Sequence, residues 1–384
     1  MLPAMPEAFK HLIHHGTIEH AARHLQRAWP GFPARAFKRQ ASAGLDALEM
    51  KARAMQIADA LQAHLPADFD HAATVVEASL APPIEPEAPA SADSGDAGLA
   101  GWVVWSLGEW VARQAAADAA RLPRALQCLH ALTRRFSAEF AIRPLLRDHP
   151  ETVLATLMTW TADPSAHVRR LASEGSRPRL PWGLRLQALV DDPRPTLPLL
   201  LALQDDPSEY VQRSVANHLN DIAKDHPGLV ADWLHAHLPD ASVERRALLR
   251  HASRTLIKQG DPRVLQAWGV GGGLQGRATL NLVPTAPLTL GQTLQLDVTL
   301  HSSSRQPQAL VVDYAVHHVK ANGSTSPKVF KGWTLTLNPG ETRTLLKQHA
   351  VRPITTRRYH PGWHRLTLQV NGQTVAEGGF ELRL

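Results

Sequence analysis

The sequence predicts two architectures in series. An α-helical, HEAT-like solenoid covers residues 1–268, and an all-β, immunoglobulin-like sandwich covers 277–384, with 269–276 as the linker. Three observations predict this. A helix opening, DPSAHVRR from Asp163, returns in register as DPSEYVQR from Asp206, 43 residues on. Helices that begin after His-Pro recur as HPETVLATLMTW from His149 and HPGLVADWLHAHL from His226. Beyond Gly269 the helical apolar period gives way to short alternating β patterns.

Alanine and leucine dominate the first part, and its turns carry Pro or Asp-Pro. Ala47–Leu65 reads as one helix, with Leu48, Met55, Ala58 and Leu61 on a stripe and Pro66 as the stop. Residues 81–98, APPIEPEAPASADSGDAG, are acidic and too rich in Pro and polar residues to pack, which predicts a flexible loop. Asp-Pro-Ser before each repeated helix supplies capping chemistry. Paired helices with a period of about 40 describe stacked repeats, whose inner helices line a concave surface suited to a long ligand. After GVGGGLQG come seven alternating segments, beginning at Leu280, Leu294, Ala309, Trp333, Arg343, Trp363 and Phe380. Turn signals at Asn322-Gly, Pro339-Gly, Pro361-Gly and Asn371-Gly separate them, as in an immunoglobulin-like sandwich without the disulfide. Two predicted loops concentrate its charge: KANGSTSPKVFK from Lys320 and RPITTRRYHPG from Arg352.

The composition, 44% hydrophobic and 20% charged, is that of a globular protein. The single cysteine, Cys128, excludes an intramolecular disulfide and a cysteine-cluster zinc site within one chain, and LQCLHAL places it in an apolar helix. The start, MLPAMPEAFKHLIHHG, has no uncharged apolar core, and the longest apolar run, Leu197–Leu203, is too short to span a bilayer, so a cytoplasmic location is expected. Charge is uneven: residues 271–384 carry +7, and the rest is near neutral at −1. A basic module beside a neutral one points to a polyanion, or to a merely solvated basic face.

Three carboxylates stand on predicted polar faces. Glu139 follows Ser137, a possible cap; Glu174 lies four residues after Arg170; Asp221 shares a face with Asn217, away from the apolar stripe Val211, Val215, Leu219, Ile222. Each has an ordinary explanation: a first-turn glutamate favoured by the helix dipole, an intrahelical salt bridge and a solvated surface. Arg169, Arg170, Arg177, Arg179, Arg185 and Arg213 crowd one repeat boundary, as a phosphate-binding surface or as partners of these acids. Trp182 follows Pro181 at a turn, where a tryptophan either packs or offers a face to a base. His11/His15 and His20/His24 have metal-compatible spacing, but no third ligand is marked and HExxH is absent, so no metal is expected. There is no phosphate-binding glycine loop, dinucleotide fingerprint or GxSxG.

Together, EFAIRP from Glu139, VRRLASEGSRPRLPW from Val168 and SVANHLNDIAKDHP from Ser214 resemble the AlkC branch of the AlkC/AlkD-type DNA glycosylases. The resemblance covers most of residues 1–268, and larger members carry an Ig-like domain after the helical repeats. It implies a monofunctional, cofactor-free DNA N-glycosylase of base excision repair. Such an enzyme acts as a monomer on double-stranded DNA at cationic N3-alkylated bases, 3-methylcytosine and 3-methyladenine, without base flipping, in the nucleoid of a bacterium. It further implies Glu139, Glu174 and Asp221 as the catalytic carboxylates and Trp182 and Phe140 beside the lesion. DNA contacts are expected from Arg169, Arg170, Arg177, Arg179 and Arg213, and from Lys320, Lys328, Lys331, Arg352, Arg357 and Arg358 in the basic loops. The rival expectation is a non-catalytic HEAT scaffold, or a damage reader without turnover.

Overall fold

The computed structural model describes residues 9–83, 95–354 and 358–384. Sixteen α-helices among the described residues precede a β-sandwich, and the chain divides into compact units at Asp225/His226. The first unit holds α1 (His15–Ala28), α2 (Ala34–Ala41), α3 (Met50–His64), α4 (Phe69–Ala78), α5 (Val103–Ala117), α6 (Leu122–Thr133), α7 (Ile142–Asp148), α8 (Pro150–Trp160), α9 (Ala166–Glu174), α10 (Gln187–Asp191), α11 (Leu197–Leu203) and α12 (Glu209–Ile222). The helix expected over 47–65 starts three residues late. Gly44, at φ 65°, turns the chain into a short 3-10 segment, Leu45–Ala47, before α3 begins. Of the predicted loop, residues 84–94 lie outside the described residues; Leu80 and Leu99 on either side of it form an isolated bridge.

The repeat read from the sequence is real, and its capping differs from expectation. Ser165 and Ser208 are the N-caps of α9 and α12, but neither side chain caps. Instead Asp163 Oδ1 accepts from Ser165 N at 2.8 Å and Asp206 Oδ1 from Ser208 N at 2.9 Å, an Asx turn feeding each helix. The same aspartates join neighbouring repeats. Asp163 holds His130 of α6 at 2.7 Å, and Asp206 takes a two-pronged bond from Arg169 of α9 at 2.6 and 3.0 Å. With its register set, α9 packs along α12, burying Val168, Leu171 and Ala172 on one side and Val211, Val215 and Leu219 on the other. The predicted stripe of α12 is therefore its core face.

The second unit opens with α13 (Pro227–His237), α14 (Val243–Ala252), α15 (Arg254–Gln259) and α16 (Pro262–Ala267), followed by eight strands among the described residues. These are β1 (Gly276–Val283), β2 (Leu288–Thr289), β3 (Thr293–Ser302), β4 (Gln308–Val319), β5 (Thr325–Leu337), β6 (Thr342–Ala350), β7 (Gly362–Val370) and β8 (Gln373–Arg383). They form a three-stranded sheet, β1-β3-β6, and a five-stranded sheet, β2-β8-β7-β4-β5. Leu294 and Leu296 from one sheet meet Tyr314, Val316 and Leu366 from the other in the core. All seven predicted strands occur; β2, two residues paired parallel to β8, is too short to show a period. The Asn371-Gly372 signal is a two-residue hairpin with both residues at positive φ, 50° and 77°. Its Gly372 lies so close to Gly260, at the end of α15, that a Cβ on Gly260 would sit 2.5 Å from the Gly372 Cα. Asn371 Nδ2 also donates to the Gly272 carbonyl at 2.8 Å. The expected linker is thus fastened to the sandwich, and the last helices pack with it as one unit.

Candidate active site

The three singled-out carboxylates converge in the first unit as an alternating chain of acids and bases. Glu174 ends α9 and Asp221 lies in the last turn of α12, so the packing of those helices brings them to one guanidinium. Arg177 donates from Nη1 to Glu174 Oε1 at 2.6 Å and from Nε to Asp221 Oδ2 at 2.8 Å. Arg170, one turn before Glu174, donates to Glu139 Oε2 at 2.8 Å and stands 3.5 Å from Glu174. Lys224 closes the far end on Asp221 Oδ1 at 2.8 Å. The order Glu139–Arg170–Glu174–Arg177–Asp221–Lys224 balances three negative charges against three positive ones, which allows carboxylates to persist this deep in a fold.

Burial rises along the three acids. The side chains of Glu139, Glu174 and Asp221 are 14%, 7% and 2% exposed, so Glu139 is the one that a ligand reaches first. The solvated-surface explanation therefore fails for Asp221, whereas the intrahelical pair expected for Glu174 is present with Arg170. Burial opposes ionisation of Glu174, but the Arg170 and Arg177 charges and the Ser214 hydroxyl, donating at 2.5 Å, hold its carboxyl below the usual range. Glu139 is not in a first helical turn. It sits in the turn before α7, and Ser137 donates to Glu139 Oε2 at 2.6 Å rather than capping a helix.

A cleft of about 380 Å³ opens over this chain, lined by Glu139, Glu174, Arg170 and Arg177 and walled by Trp102, Phe136, Phe140, Trp182 and Tyr210. Phe140 stacks on Trp105 with ring centres 4.6 Å apart, and Trp102 lies 4.8 Å from Phe136. Arg170 lies 4.8 Å above the Tyr210 ring. Trp182 does not pack as a core tryptophan would: it is 58% exposed and holds the left-handed φ of 64°. Bulky side chains rarely adopt that conformation, and where they do the strain tends to mark a functional position.

The arginines are less available than the sequence implied. Arg170 and Arg177 grip the acids instead of presenting an open face, and Arg169 is committed to the buried Asp206, because burying those carboxylates requires a cation on each. Arg179 makes a two-pronged bond to Asp225 at 2.7 and 2.6 Å, whereas Arg213, paired with Glu209 at 2.8 Å, is largely exposed. In the second unit Lys320, Arg352 and Arg358 are exposed in connecting segments, while Arg357 lies outside the described residues. Lys328 and Lys331 are exposed but not in a loop. Strand β5 runs through them as the sheet edge, where Pro327 is tolerated.

Sequence reasoning missed Ser214, His218, Tyr210 and Arg143. Ser214, His218 and Asp221 follow i, i+4, i+7 on α12, a polar stripe that was a legible signal. His218 donates from Nδ1 to the Ser173 carbonyl at 3.0 Å, and burial pushes its pKa down to about 4. Arg143, fully buried on α7, was visible only as one letter of EFAIRP. Cys128 is buried as expected, and burial pushes its thiol pKa up.

Two family models match the chain: "DNA alkylation repair enzyme" over residues 125–256 and "Uncharacterised protein YhaZ, C-terminal Ig-like domain" over 279–384. The uncharacterized protein YhaZ of Bacillus subtilis is 37% identical over 262 residues, 67% of this chain and 71% of that protein. A solved structure of Pseudomonas fluorescens alkylpurine DNA glycosylase AlkC, bound to DNA containing an abasic site analog, is 35% identical. It matches with a TM-score of 0.87 over 98% of this chain and all of the other.

Proposed function

This chain belongs to the AlkC branch of the DNA alkylation repair enzymes, and from that membership we propose that it is a DNA N-glycosylase that releases cationic N3-alkylated bases. The observation that carries the reading is the run of alternating acids and arginines under an exposed, strained Trp182. A base alkylated at N3 already bears positive charge, so it departs without a general acid. What the reaction needs is stabilisation of the cation that develops on the deoxyribose C1′. Glu139 and Glu174, held at the cleft by Arg170 and Arg177, supply negative charge there, and one of them orients the attacking water. Asp221 belongs to the same coupled set through Arg177.

Carboxylates near DNA would repel its phosphates. Arg170 and Arg177 offset that repulsion and hold the acids in place, and Trp182, with Phe140 in the wall behind, faces the lesion and contributes cation–π attraction. In this reading Arg213 and the exposed basic residues of the sandwich contact the backbone, the base remains stacked, and 3-methylcytosine and 3-methyladenine are the substrates. The protein works as a monomer on chromosomal DNA.

Incubation with alkylated duplex DNA tests the proposal. Free methylated base and abasic sites are expected; tight, lesion-selective binding without release would favour a damage reader, and no selectivity a scaffold.

A further inference from the structure

The turn between α9 and α10 carries both Arg177 and Trp182, and one buried side chain holds its two ends together. Arg143 of α7 is 0% exposed. Its Nη1 donates to the carbonyls of Gly175 at 2.9 Å and Arg177 at 2.7 Å, and its Nε donates to the Leu184 carbonyl at 2.6 Å. The first two close the helix end beside Glu174; the third lies two residues past Trp182. Two glycines permit the approach. A Cβ on Gly175 would stand 2.5 Å from Ile142 Cγ2, and one on Gly183 would stand 3.0 Å from Leu180 Cδ2 and 3.2 Å from Arg143 Nε.

We propose that Arg143 is a positioning residue for the cleft. By tying three turn carbonyls into one planar donor fork, it holds Trp182 in its left-handed conformation above Glu139 and Glu174 and keeps the Arg177 guanidinium between Glu174 and Asp221. Arg143 is absent from the cleft lining, so it acts through Trp182 and Arg177 and not on the substrate. Arginine suits the task because its donors diverge in one plane and reach several carbonyls at once; an ammonium is a point donor without that geometry. A backbone in a disfavoured region persists only where its surroundings over-determine it, and these three bonds do so.

The inference rests on the glycosylase reading for its activity readout, and its experiment has a second readout that does not. In a double-mutant cycle on alkylated duplex DNA, R143K should slow single-turnover base release on the order of 100-fold in the otherwise native protein. In the W182A background the same change should cost less, because one of the two groups being positioned is already gone. Equal losses in both backgrounds would overturn the proposal. Amide hydrogen exchange over residues 175–186 reads the pinning directly: R143K should accelerate it locally, with α3 and α5 unchanged, and unaltered exchange would also overturn it. If R143K fails to fold, G183A, which presses on the same guanidinium, carries both measurements. A wild-type protein that released no base would sink the glycosylase reading and leave the exchange result to decide Arg143.

Discussion

At the scale of single residues, the alternating chain assigns graded consequences to its members. Glu139 touches the cleft and is bonded by Arg170 and Ser137. Its replacement in Glu139→Gln should leave the melting temperature nearly unchanged while base release falls about 100-fold or more, a magnitude typical of losing one preorganised electrostatic contact. Glu174 lies deeper, between two arginines and Ser214. Glu174→Gln should therefore lose both activity and stability, the latter on the order of 3 kcal/mol in chemical denaturation, because it leaves the buried set with one uncompensated positive charge. His218 gives a pH test. Burial pushes its pKa down from 6.5 to about 4, so the unfolded chain takes up the proton first. Stability from the neutral ring is complete above pH 6.5 and is lost as pH falls toward 4, by about 3 kcal/mol at most. Melting curves across that window should show the loss, and His218→Asn should flatten it; an unchanged slope in the variant would assign the effect to other groups.

Among the elements, α9 and α12 decide what could be read in advance. Their repeated openings gave the two helices and where they begin, and the stripe of α12 gave which of its faces turns inward. The polar face was harder. Whether Glu174 and Asp221 are solvated or buried depends on which helix lies opposite, and that is a tertiary fact absent from either segment. Arg169 shows the same limit. From the sequence it is one of several arginines at a repeat boundary; in the fold it is the tie between α9 and the turn before α12. Arg169→Met should destabilise the protein on the order of 3 kcal/mol. The variant's DNA affinity should nevertheless keep the salt slope of the native protein; a lower slope would restore Arg169 as a phosphate contact. The strands of the sandwich were legible where alternation survives, as in β1, β3 and β6, whereas central β4 is buried almost throughout and two-residue β2 carries no period. The basic segment after Lys320 misled because its charged residues lie on an edge strand, which tolerates them as readily as a loop does.

On the scale of the whole molecule, the helix-to-strand change near Gly269 is not where the compact units part. The last four helices belong with the sandwich, fastened by Gly260, Gly372 and Asn371. Removing residues 271–384 would leave those helices without their support, so the contribution of the sandwich to DNA binding is better tested by charge removal. Substituting Lys328, Lys331, Arg352 and Arg358 by alanine should lower the salt dependence of binding by about 0.9 for each phosphate that is no longer neutralised, with folding retained. No change would confine DNA binding to the helical repeat.

In the proposed reaction fixed carboxylates, and not a general acid or a binding surface alone, drive release of an already cationic base. The most direct measurement is the single-turnover rate of base release from a duplex with one N3-methylated base, for the native protein and for Glu139→Gln, with DNA affinity measured alongside. Free base is expected from the native protein, with a rate lower by about 100-fold or more in the variant and DNA affinity kept. Equal rates in the two proteins would contradict it.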